Sequence, residues 1–86
     1  MSLAVLDARE TANGLAVTFI TDDGLELLEG TYDEVARLAQ VMKEVSALAL
    51  LNDDDSVWVE DVVVGKATVK LGLNPGKQAR VRIVRD

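Results

Sequence analysis

The stretch "GTYDEVARLAQVMKEVSALALLN", residues 30–52, decides the fold. Thr31 is followed three residues later by Glu34, the spacing of a capping box. The Thr hydroxyl accepts from the backbone N–H of Glu34, and the Glu carboxylate accepts from that of Thr31. Asp33 and Glu34 also lie at the positive end of the helix dipole. Val35, Leu38, Met42, Val45 and Ala49 recur at three- and four-residue steps, with Val41 and Leu48 widening the stripe. Arg37, Gln40, Lys43, Glu44 and Ala47 fill the other side. The pattern predicts one amphipathic helix of about 19–20 residues, roughly 30 Å long.

On either side of it the apolar period changes from helical to alternating. Before the helix, Leu3–Thr11, Leu15–Thr21 and Leu25–Glu29 read as strands. Asn13-Gly14 predicts a type I′ hairpin turn, because both of its central residues need positive φ, and Asp22-Asp23-Gly24 predicts another of the same kind. After the helix, Val57–Val64, Lys66–Leu73 and Gln78–Arg85 are rich in valine. Gly65-Lys66 fits a two-residue turn with glycine first, and Asn74-Pro75-Gly76-Lys77 fits a type II turn. The expected fold is therefore α+β in the order βββ-α-βββ. Two antiparallel three-stranded meanders, as one sheet or a curled sheet, pack on a single helix within one domain over residues 1–86.

Composition narrows the function mainly by exclusion. The 86 residues contain no cysteine and no histidine, and 49% are apolar. Disulfides, thiolate nucleophiles and cysteine-ligated metals are ruled out, as are the commonest general base and the commonest metal ligand. The chain is therefore expected to work without a metal or other cofactor and not to be an enzyme. A small domain without staples points to a reducing compartment or to help from oligomerisation. No apolar run reaches the roughly 20 residues that span a bilayer, and no signal peptide is visible, so a cytoplasmic protein without a membrane partner is expected.

Three short motifs resemble chemistry and fail it. "NDDDS", residues 52–56, lacks the glycine and glutamate positions of a calcium loop and reads as the turn after the helix, with Asn52 as its left-handed end. "GLNPGK", residues 72–77, has the wrong glycine spacing for a phosphate loop and reads as a hairpin turn. Glu60-Asp61 would place two carboxylates on opposite faces of a strand, so a β-bulge, an edge position or a partner for Arg80 or Arg82 fits better than acid–base catalysis.

The net charge of −6 is uneven: residues 1–55 hold twelve acids and three bases, and residues 56–86 hold three acids and six bases. Two surfaces follow. Lys66 and Lys70, with Arg80 and Arg82 on the next strand, form a candidate anion-binding stripe beside Trp58. The acidic total argues against nucleic acid as its ligand. Ala16, Thr18 and Ile20 share the strand face opposite Leu15, Val17 and Phe19. Six strands and one helix leave a sheet face uncovered, so these three, with Trp58, are the expected partner contact. The leading expectation is a non-enzymatic interaction or regulatory module that self-associates, with a dimer favoured and an unidentified protein partner as the other occupant. A binder of an anionic ligand or nucleic acid through the Lys/Arg stripe on the C-terminal hairpin is the alternative.

Overall fold

A computed structural model of the chain describes residues 5–21, 23–51, 55–76 and 78–85. The elements are β1 (Val5–Glu10), β2 (Leu15–Thr21), β3 (Gly24–Gly30), α1 (Tyr32–Ala49), β4 (Val57–Val64), β5 (Ala67–Asn74) and β6 (Gln78–Arg85). The strands form two antiparallel sheets, ordered β1-β2-β3 and β4-β5-β6, and neither is closed. The α+β order is the one the sequence predicts. The choice between one sheet and a curled one resolves into two separate three-stranded sheets.

The helix begins as a capping box. Thr31 Oγ1 accepts from Glu34 N at 3.1 Å, and Glu34 Oε1 accepts from Thr31 N at 2.9 Å. Its buried stripe is Leu38, Val41, Met42, Val45 and Ala49, with Val35 partly covered. Leu48, which the periodicity adds to the stripe, is 42% exposed. The helix ends in a tightened turn in which Leu50 N donates to Ala47 O and Leu51 N to Leu48 O. The Asn52–Asp54 part of the acidic run lies outside the described residues.

The stripe packs mainly on β4 and β5, with β6 and β2 at its margins. Val62, Val64, Val69, Leu71 and Val81 from the second sheet meet it, joined by Val17, Phe19 and Leu28 from the first. Apart from Gly72, the buried residues of the second sheet keep to one parity of each strand, as in half-covered antiparallel strands. β1 receives little cover, and Asp7, Ala8, Arg9 and Glu10 are all exposed. No helix among the described residues is long and apolar enough to cross a membrane.

The turns split the predictions. Gly65 and Gly76 take positive φ, at 61° and 87°, as their turns require, with Lys77 of the second turn outside the described residues. Gly24 has a φ of 111° but pairs with Thr21 at the start of β3, and Asp22 of that expected turn lies outside the described residues. Gly14 does not, so the type I′ turn at Asn13-Gly14 is not formed. Glu10 pairs with Leu15 across a four-residue loop closed by Thr11 N donating to Gly14 O at 3.0 Å. Gly14 is glycine for lack of room: a Cβ there would stand 2.0 Å from Gly30 O and 2.8 Å from Thr31 Cα.

That crowding marks the seam of the molecule. The β1–β2 loop, the β3–α1 junction and the β4–β5 turn all meet beside Glu34. Its Oε1 accepts a second bond, from Gly65 N at 3.1 Å, so one carboxylate oxygen caps the helix and holds the far hairpin. A Cβ on Gly65 would lie 2.3 Å from Glu29 O. Arg85 ties the same edge a second time, donating to Glu26 Oε2 at 3.0 Å and to Leu27 O at 3.1 Å.

Two outcomes test the seam. Gly65→Ala combines a backbone clash with a left-handed φ, so it should cost about 1–3 kcal/mol in urea unfolding. The Glu34 carboxyl is held below its usual range, chiefly by the Thr31 N–H and then by the Gly65 N–H. Its folded value lies below the unfolded one, so its contribution is complete above the ordinary glutamate range. It is lost as pH falls through the lowered folded value. The melting temperature of the wild type should therefore drop more steeply over that acid range than that of Glu34→Gln. Parallel curves would show that Glu34 is not the acid-sensitive tie.

Candidate functional site

Two open sheet faces hold the residues that the sequence singles out. On β4 the alternation breaks at a β-bulge between Trp58 and Glu60. Trp58 pairs with Gly72 and Asp61 with Lys70, so these two residues, three apart, share the face turned away from the helix. Glu60 pairs with Leu71 on the opposite parity and is ion-paired to Arg37 of the helix. Asp61 bonds Lys70 at 3.4 Å. Of the readings the sequence offers for this pair, the β-bulge is the one formed, and the acids meet Arg37 and Lys70 rather than Arg80 or Arg82. The bulge redirects them, since one inserted residue exchanges the faces on the far side of it.

Across that outer face the register sets Trp58, Gly72 and Arg80 in one row, and Asp61, Lys70 and Arg82 in the next. The indole lies over Gly72, where a Cβ would come within 2.9 Å of Trp58 Cε3. Arg80 Cζ stacks 3.9 Å from the ring centroid and Arg82 Cζ lies at 5.5 Å. Arg80 Nε is buried, so this cation–π contact is partly desolvated, the setting in which such contacts are strongest. Three of the four candidate cations, Lys70, Arg80 and Arg82, are thus brought together beside Trp58. Lys66 is not among them. It stands in the β4–β5 turn rather than on β5, roughly 13 Å along the strand from Lys70.

The first sheet's outer face is different in kind. Ala16, Thr18 and Ile20 lie on it, and their β3 partners are Glu29, Leu27 and Leu25. Leu25 and Leu27 are 66% and 59% exposed. The sequence pattern gives β3 as a short third strand and leaves its leucines outside the expected patch. The signal was present, because Leu25 and Leu27 share a parity. The pairing register that puts them beside Ile20 and Thr18 was not. Trp58 belongs to the other sheet, so the structure separates it from the residues with which the sequence reading grouped it.

Between the sheets lies a groove of about 680 Å³, bounded by Leu27, Leu28, Glu34, Val64, Gly65 and Arg85. Glu34 and Arg85 are engaged in the seam contacts already described, and Glu29 also borders the groove. No three acids among the described residues converge as metal ligands. The chain matches no family model, no curated protein and no solved structure.

The Trp58–Arg80 stack has a direct check. A double-mutant cycle with Trp58→Phe and Arg80→Gln should return a coupling of about 0.5–2 kcal/mol in unfolding free energy. Additive effects would show that the two side chains are only neighbours.

Proposed function

We propose that this protein is a small non-enzymatic interaction module that self-associates, as a dimer, through the outer face of its first sheet. One observation carries the reading. Leu25 and Leu27 stand largely exposed beside the half-buried Ile20 and Thr18 on the outer face of the first sheet. Isolated surface leucines are ordinary. A contiguous group on the outer face of a sheet, next to an edge strand, is an interface or an aggregation liability. The acidic net charge keeps such a protein soluble and leaves specific pairing as its use of the patch. A chain without cysteine has nothing to gain from an oxidising compartment, which supports a cytoplasmic setting.

A second reading has its own observation. Arg82 reaches toward the Trp58 ring and makes no ion pair among the described residues, while Lys70 faces it across the register. This corner supports binding of an anionic ligand by charge and stacking. It would show as an affinity that falls with salt. We rank it second because Asp61 sits in the same row and offsets part of the charge.

Light scattering on a sizing column separates the readings. The wild type should run as a dimer over a wide range of concentration. Leu25→Ser and Leu27→Ser should each weaken the dimer by roughly tenfold or more, because each removes a leucine burial of about 1.5–3 kcal/mol. Trp58→Ala should leave it intact. A dimer that survives both leucine changes and dissociates on losing Trp58 would move the interface to the second sheet.

A further inference from the structure

We propose that two copies pair face to face about a two-fold axis running along β2, with Arg9 of each copy against Glu29 of the other. This rests on the self-association reading above and specifies its partner and geometry.

The argument starts from the register of the first sheet. Arg9, Ala16 and Glu29 form one row across β1, β2 and β3. A cation and an anion thus flank the face at its two edges, roughly 10 Å apart, with only an alanine between them. Within the chain they do not meet. Arg9 reaches Asp7 instead, at 3.4 Å, with its side chain 74% exposed. Glu29 is exposed and makes no ion pair among the described residues. The next row is Asp7, Thr18 and Leu27, and the one beyond it holds Ile20 and Leu25.

An isologous contact places the same patch on both copies, so its axis lies in the interface. Two orientations are available. An axis across the strands lays β1 over β1. If it passes through the Ala16 row, Arg9 meets Arg9 and Glu29 meets Glu29. If it is displaced toward the Thr18 row, Arg9 meets the Asp7 of the other copy, which already has Arg9 as its partner within the chain, and Glu29 is pressed on Leu27 without a cation. An axis along β2 exchanges β1 with β3 while keeping each row in place. Arg9 then falls opposite Glu29 twice, and Leu27 falls opposite Asp7 and beside the methylene stem of the other copy's Arg9, which is suited to cover it. Sheets packed in this way cross at about −30°, which the axis divides equally between the copies, and lie about 10 Å apart. Opposite charges in reach of each other fix orientation at an interface, and like charges penalise the alternative.

Charge reversal reads this geometry directly. Arg9→Glu alone and Glu29→Arg alone should each weaken the homodimer by about tenfold or more, since each places two like pairs across the interface. Both positions are exposed, so circular dichroism should show native melting. An equimolar mixture of the two variants should form one-to-one dimers near wild-type affinity, because both contacts are then opposite in sign. The double variant should also recover. Recovery in the mixture is the decisive result, since no contact within one chain produces it. If the mixture stays as weak as its components while the wild type dimerises through Leu25 and Leu27, the two-fold along β2 is overturned and self-association stands. A wild type that stays monomeric at every concentration overturns both.

Discussion

One carboxylate oxygen sets the arrangement of this molecule. Glu34 Oε1 accepts from the N–H of Thr31, which starts the helix, and from the N–H of Gly65, which turns the second meander. A helix start leaves orphan donors that some acceptor must satisfy. Here the acceptor that satisfies one of them also holds a distant hairpin, so the helix direction and the position of the second sheet are fixed together. Gly30 and Gly65 crowd the same place. A Cβ on Gly30 would meet Glu34 Oε1 at 2.9 Å, and one on Gly65 would meet Glu29 O. The tie therefore needs backbone on every side of it. Arg85 repeats the connection further along β3, through Glu26 and the Leu27 carbonyl. These contacts cover part of the outer edge of β3, which limits that edge as a template for another strand.

The consequence is an unequal pair of sheets. One helix has one apolar stripe, and most of it goes to β4 and β5. The second sheet then dresses its own outer face, with Trp58 over Gly72, Arg80 on the ring, and Asp61 bonded to Lys70. The first sheet carries on its outer face the exposed Arg9–Asp7 pair and, among the described residues, no such ring stack. Its inner residues Val17, Phe19 and Leu28 reach the core, and its outer leucines are left to solvent. The proposed interface lies where the fold has already committed its helix elsewhere, and the seam at Glu34 holds that face turned outward.

The sequence shows the local features of this structure more clearly than the long-range ones. The capping box is visible because its two partners are three residues apart. The turns at Gly65 and Gly76 are visible because positive φ selects glycine within a short window. Gly14 follows a different cause. Its neighbour in space is Gly30, sixteen positions later, and no local signal distinguishes crowding from a turn preference. The bulge beside Val59 registers in the sequence only as a broken alternation. Without the partner strand, the break does not say that Trp58 and Asp61 share a face or that Glu60 turns to Arg37. Leu48 continues the helical period into a turn the sheets do not cover, so periodicity places it inside and geometry leaves it half out. Leu25 and Leu27 read as an apolar strand, and only pairing with Ile20 and Thr18 makes them part of a patch.

Isotope-filtered NMR on a mixture of labelled and unlabelled copies tests the self-association claim at the atoms concerned. Methyl protons of Leu25, Leu27 and Ile20 in the labelled copy should show cross-peaks to protons of the unlabelled copy, with those of Leu27 reaching the side chain of Arg9. Val63 and Val84 lie exposed on the outer face of the second sheet, and cross-peaks confined to them and Trp58 would place the contact there and contradict the account. The absence of any intermolecular cross-peak at millimolar concentration, about the range where even weak dimers form, would contradict self-association itself.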